Sequence, residues 1–147
     1  MHRLNPLNKL CLWLACLTGW LPVLAQTDEA AAVKAVLLKQ QNCWNSGDIP
    51  CFMQGYWKSD SLKFIGKSGI TYGWQKTLDN YKKSYPDTAS MGKLTFTLLE
   101  VKTWNNNEAY VLGKWYLQRS KGDVGGYFTL MFRKIRGEWV IVSDHTS

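Results

Sequence analysis

The sequence predicts an α+β fold, with about three helices near the start packed on a curved, mostly antiparallel sheet. Three observations carry this expectation. One-sided apolar stripes with helical spacing occur before residue 86, and from Lys93 onward the texture changes to strand-like alternation. The last four alternating segments are joined by "NNN", "KGDV" and "GE", short enough to be hairpin turns. Helices first and strands afterwards segregate the helices to one face of the sheet.

The chain opens with "MHRLNPLNKL", which carries Arg3 and Lys9, then the apolar run "LCLWLACLTGWLPVLA" and the exit "QTDEA". A basic region, an apolar region and small residues at Val23 and Ala25 read as a signal peptide over 1–25, cleaved before Gln26. A membrane anchor fits less well, because the unbroken run is shorter than the ~20 residues a spanning helix needs and Pro22 interrupts its end. Cys16 follows Trp13-Leu14-Ala15, a poor lipidation box. Export to the periplasm or medium is therefore expected, with residues 26–147 as a single mature domain that leaves the membrane after cleavage.

Removing Arg3 and Lys9 from 18 basic residues leaves 16 against 11 acidic ones, so the formal charge falls from +7 to +5. The lysines are scattered along the chain (Lys34, Lys58, Lys67, Lys102, Lys121), with no run of the kind that marks a nucleic-acid tail. A solvated basic surface is the simpler meaning.

In order along the mature region, Val33, Val36, Leu37, Gln40 and Trp44 form one stripe of a helix over about 27–46. Asp28 and Glu29 suit its positive first turn, and Gly47 suits its exit. Asp48 can cap a short second helix, with Pro50 tolerated in its first turn and the helix running to about Tyr56. "SLKFIGKSGITYG" reads as two short strands around "GKSG". Trp74, Leu78, Tyr81 and Tyr85 make the stripe of a third helix, which Pro86 stops. Four strands follow in "KLTFTLLEVKTW", "EAYVLGKWYLQRS", "GGYFTLMFRKIR" and "EWVIVSDHTS", expected to form an antiparallel meander. Both faces of these strands carry apolar groups. The face away from the helices should therefore be covered as well, most simply by a second copy in a homodimer.

Cys43 and Cys51 flank "WNSGDIP", a turn between two helices that could bring their Cα atoms within bridging range. An oxidising compartment allows the bond, and two buried thiols are the alternative. With His145 the one histidine of the mature region, no zinc spacing is present. Phosphate-binding loops, nucleophile elbows and Ser-His-Asp orders are absent too, and "GDVGG" precedes a strand rather than a helix. No cofactor is expected.

Read together, "WNSGD", "YWKSDSLKFIG", "ITYGW", "GKWYL", "GYFTLMFRK" and "EWVIVSDHTS" resemble, in order and spacing, the SnoaL-like branch of the nuclear transport factor 2-like superfamily, often described as a domain of unknown function. That resemblance implies a cone whose open end forms an apolar pocket between the helices and the concave sheet. Members of the superfamily include ketosteroid isomerase and polyketide cyclases as well as non-catalytic binding and assembly domains, so fold does not fix function.

Tyr56, Trp57, Tyr72, Trp74 and Trp115 form an aromatic set suited to a flat or apolar ligand, although core filling is their commoner use. Asp60 and His145 are the candidate acid–base residues. Asp60 lies where a helix hands over to the first strand, as a pocket carboxylate or as a turn residue. Strict alternation puts His145 in phase with Trp139, Ile141 and Ser143, and Asp144 on the side of Val140 and Val142. The adjacent pair cannot then share one pocket unless a bulge intervenes. His145 alone would either move protons near neutral pH or anchor the chain end, the second being favoured. The isomerases of the superfamily combine a carboxylate base with a tyrosine and a protonated second acid. No apolar strand position of this chain holds such an acid, Glu100 being the nearest candidate, and this departs from the isomerase pattern. The reading that results is an exported pocket domain for a small apolar or aromatic molecule. A cofactor-free proton-transfer enzyme is one alternative and a dimeric assembly module the other.

Overall fold

A computed structural model describes residues 22–147. The leader expected over 1–25 therefore falls, up to residue 21, outside the described residues. The elements are α1 (Pro22–Asn45), α2 (Ile49–Met53), β1 (Lys63–Gly66), β2 (Gly69–Tyr72), α3 (Trp74–Ser84), α4 (Thr88–Met91), β3 (Lys93–Asn105), β4 (Glu108–Gln118), β5 (Val124–Ile135) and β6 (Glu138–Thr146).

Helix α1 begins at Pro22, upstream of the start expected from its acidic pair. Glu29 consequently serves another purpose: its carboxylate accepts from Lys134 Nζ at 2.5 Å and from the Trp139 indole at 2.6 Å, tying the helix to β5 and β6. The exit is as expected. Gly47 takes φ 79°, and its amide and that of Asp48 close back on Trp44 and Cys43 carbonyls at 2.9 and 3.0 Å. Asp48 caps α2 by accepting from the Cys51 amide at 2.8 Å, but that helix ends at Met53 rather than near Tyr56. The short α4, with Asp87 accepting from the Ser90 amide at 2.6 Å, was not anticipated from sequence.

The four long strands form the expected antiparallel meander within a six-stranded sheet ordered β2-β1-β6-β5-β4-β3. The hairpin of β1 and β2 joins it by pairing β1 parallel to β6, with Phe64 opposite Asp144. At the other edge β3 is covered by α1. Asn45 both accepts from the Leu94 amide (2.7 Å) and donates to its carbonyl (3.0 Å), and Gln41 accepts from the Phe96 amide (2.7 Å). These bonds blunt an edge that would otherwise pair with another chain.

Of three irregularities of register, one of them between Thr103 and Asn105 near the end of β3, the other two bear on the middle of the sheet. Between Leu98 and Glu100 the pairing of β3 with β4 slips by one residue, leaving Leu99 half exposed on the outside. In β6, Ser143 lies opposite Met131 and Ile141 opposite Phe132, so Val142 is the extra residue of a bulge. A bulge bends its strand and shifts the alternation by one. Inside β6 the buried residues are accordingly Trp139, Ile141 and then Asp144. Gly113 on β4 makes room on the same face, since a Cβ there would stand 2.3 Å from the Phe128 ring. The core runs from Val33, Leu37 and Met53 of the helices to Val111, Phe132 and Ile141 of the sheet.

Candidate functional site

Helices α1 to α3 and the concave sheet enclose a cavity of about 960 Å³, within the size range of small-molecule sites. Exposed lining residues, among them Lys67 and Ser68 on the β1–β2 turn, Lys83 and Ser84 at the end of α3, and Ser147, mark the mouth. One wall is an aromatic cluster. Trp44 stands edge-on to Phe52, Tyr81 and Tyr85, at centroid separations of 5.2, 6.0 and 4.8 Å. The facing wall includes Phe96 and Phe128, also edge to face at 5.4 Å.

Among these rings lies one carboxyl, that of Asp144, whose residue is 5% exposed. Tyr56 donates its hydroxyl to Oδ2 at 2.7 Å, and Oδ1 has no hydrogen-bond partner. Burial pushes the Asp144 carboxyl up from its ordinary 3.8 to about 7, against the smaller downward pull of the Tyr56 hydrogen bond. Burial also raises the Tyr56 hydroxyl, with the Asp144 charge adding to the effect. The Tyr81 hydroxyl is raised for the same two reasons. Near neutral pH Asp144 can therefore present either a protonated donor or an ionised acceptor through Oδ1. Among the described residues no group of three His, Cys, Asp or Glu side chains could hold a metal ion.

The sequence-derived candidates divide. Tyr56 and Trp115 line the cavity. Trp57 does not; its amide instead donates to the Ile141 carbonyl at 2.9 Å. Tyr72 is 56% exposed at the end of β2 and lies outside the pocket lining. Trp74 is turned away too, with its indole donating to the Met53 carbonyl at 2.8 Å and Lys58 Nζ 5.2 Å over its ring.

The acid–base candidates need correction. Asp60 is an exposed turn residue and lines no part of the cavity. His145 is exposed opposite Thr129 on the outer face of the sheet, and its ring makes no hydrogen bond among the described residues. The bulge at Val142 is the physical reason, because it exchanges the faces of Asp144 and His145 relative to strict alternation. Glu100 is exposed on β3. The buried acid on an apolar strand is thus Asp144. Cys43 and Cys51 are bonded, with Cα atoms 5.5 Å apart, and the bridge ties α1 to α2 between the pocket residues Trp44 and Phe52.

Comparison with known structures bears on this geometry. A crystal structure of a nuclear transport factor 2-like protein of unknown function from Shewanella oneidensis MR-1 is 43% identical, with 82% of this chain and 98% of that chain covered at a TM-score of 0.77. This chain belongs to the nuclear transport factor 2-like family. A nuclear transport factor 2-like superfamily protein from Salmonella enterica serovar Typhimurium shares the fold at 18% identity and TM-score 0.66, covering 82% and 91% of the two chains. A ketosteroid isomerase-like protein from Erwinia carotovora atroseptica does so at 17% identity and TM-score 0.63, covering 82% and 95%. No protein-family model and no curated protein matches the sequence. Among the described residues no helix is long and apolar enough to cross a membrane.

Proposed function

We propose that this family member binds a small apolar or aromatic molecule in its cone and orients it through Asp144. The observation that carries the reading is the Asp144 carboxyl, buried among aromatic rings with Tyr56 on one oxygen and nothing on the other. An unpaired buried polar atom costs roughly 1–3 kcal/mol, a cost that a ligand hydroxyl or carbonyl would offset. Native mass spectrometry of the purified protein tests the reading. A co-purifying small molecule should be retained by wild type and lost from Asp144→Leu; a wild-type protein that carries no such mass and binds no apolar phenol would overturn it.

A second reading, cofactor-free proton transfer on the bound molecule, is favoured by the acidity of the same carboxyl, about 7, which matches a general base working near neutral pH. Ionised Asp144 would take a carbon-bound proton onto Oδ1 and return it at another carbon. Deuterium uptake by 2-tetralone in D₂O should then be faster with wild type than with Asp144→Asn, and equal rates would exclude this chemistry.

Assembly and location complete the proposal. Leu99, Trp104, Tyr116, Tyr127 and Met131 are all more than a third exposed on the outer face of the sheet. A patch of this kind supports a homodimer through that face. Light scattering should return twice the chain mass, and Tyr127→Glu should halve it; a monomer at micromolar concentration would remove the dimer. The Cys43–Cys51 bond supports an oxidising compartment reached through the 1–25 leader. Intact mass from the native host should begin near Gln26, and retention of the leader would contradict export.

A further inference from the structure

Among the described residues two buried side-chain polar atoms lack a hydrogen-bond partner, Asp144 Oδ1 and the Trp115 indole Nε1. Both residues line the same cavity. An indole nitrogen can only donate, so Trp115 asks for an acceptor. Its strand neighbour presents no side chain to the indole, whose nitrogen is buried without an acceptor. Trp115 lies directly opposite Gly126, where a Cβ would stand 3.0 Å from Nε1. The Ser147 carbonyl, which flanks the same glycine, accepts no bond from the indole.

The register places the two groups far apart. Trp115 on β4 faces Gly126 of β5, and Asp144 on β6 faces Leu130 of β5. From Gly126 to Leu130 is about 13 Å along the strand, and β4 to β6 is about 9.5 Å across it, so the two Cα atoms are roughly 16 Å apart in a flat sheet. The two polar groups therefore stand at separate places on the cavity wall, on strands that are not neighbours. A compact ligand with one polar group would satisfy one of them and bury the other unmet.

We infer that the ligand of this pocket is an elongated apolar molecule with a hydrogen-bonding group at each end, a hydroxyl-type group for Asp144 Oδ1 and an acceptor such as a carbonyl for Trp115 Nε1. The inference rests on the pocket-binding reading and adds the ligand's length and polarity pattern. The aromatic walls hold the body, and the two end groups fix its direction, because an indole N–H rejects a donor and Asp144 receives one.

Four probes test this by calorimetry at pH 8: 4-acetyl-4′-hydroxybiphenyl, 4-phenylphenol, 4-acetylbiphenyl and the shorter 4-hydroxyacetophenone. The two-ended biphenyl should bind wild type about tenfold more tightly than either one-ended biphenyl, the effect expected of one extra buried hydrogen bond. The short two-ended probe should show no such gain. Trp115→Phe should erase the advantage of the acetyl group and keep that of the hydroxyl, and Asp144→Leu should do the reverse. One-ended probes that bind wild type as well as the two-ended one would overturn the inference and leave the binding reading standing. So would an acetyl advantage undiminished in Trp115→Phe. Failure of every probe to bind would overturn both. The comparison within wild type needs no variant to fold, and circular dichroism melting checks the two that are used.

Discussion

Replacing Asp144 with asparagine keeps the shape of the side chain and an acceptor for the Tyr56 hydroxyl, but removes the group that titrates. Because burial raises this carboxyl from 3.8 to about 7, the folded protein holds a proton between those pH values that the unfolded chain has released. Stability then falls as pH rises through this window and levels off above it. Three powers of ten in acidity correspond to about 4 kcal/mol, with a slope of up to ~1.4 kcal/mol per pH unit. Glu29, Asp87 and Asp123 are shifted the opposite way, downward, by their hydrogen bonds. Their contribution is lost as pH falls through and below the ordinary carboxylate range, so it touches only the lower end of this window and is common to wild type and Asp144→Asn. Urea unfolding at pH 4.5, 6 and 8 should show wild type losing a few kcal/mol across the series while Asp144→Asn stays nearly flat. At pH 8 the variant should be the more stable protein, and near pH 4.5 the two should agree within ~1 kcal/mol. A wild-type curve without pH dependence, or a variant weaker than wild type at pH 8, would refute the reasoning.

Other consequences follow from the same geometry. Tyr56→Phe strips the one hydrogen bond that favours the ionised Asp144. Denaturation should therefore show a loss of about 1–3 kcal/mol at pH 8 and a smaller one at pH 5. His145→Gln, on the outer face, should change stability by less than ~0.5 kcal/mol and leave probe affinity unaltered by calorimetry. Reducing the Cys43–Cys51 bridge, or replacing both residues with serine, opens a link across 8 positions of sequence. By the chain-entropy relation this should cost about 2.5 kcal/mol in thermal or urea unfolding.

The architecture was largely legible because periodicity reports it directly. Val33, Leu37 and Trp44 announced α1, and the turn signals between Lys93 and the chain end announced the meander. What periodicity cannot report is a residue inserted into it. Strict alternation puts His145 in phase with Trp139 and Ile141 and Asp144 with Val140, and the bulge at Val142 exchanges the two, so that Asp144 joins the buried Trp139 and Ile141. The sequence does hold a trace of it: a charged residue at the end of the apolar run Val140-Ile141-Val142 is costly to bury and belongs inside only if it has work there. The pocket walls were missed for a different reason. Periodicity marks Tyr81, Tyr85 and Trp44 as helix stripes, which they are, but the helices stand off the curved sheet, so the same stripes face a cavity. Trp57, Tyr72 and Trp74 sit beside the hairpin that carries the family resemblance, and only the fold reveals that they turn away from the mouth.

The central claim is that Asp144 is the polar group of a ligand pocket, and its own carboxyl resonance reports that most directly. A ¹³C NMR titration of aspartate-labelled protein, with Asp144→Asn assigning the signal, should give a midpoint near 7. Saturation with 4-phenylphenol should then lower it, since a phenol hydroxyl donates to the ionised form. A midpoint in the ordinary range near 4, unmoved by the phenol, would contradict the account.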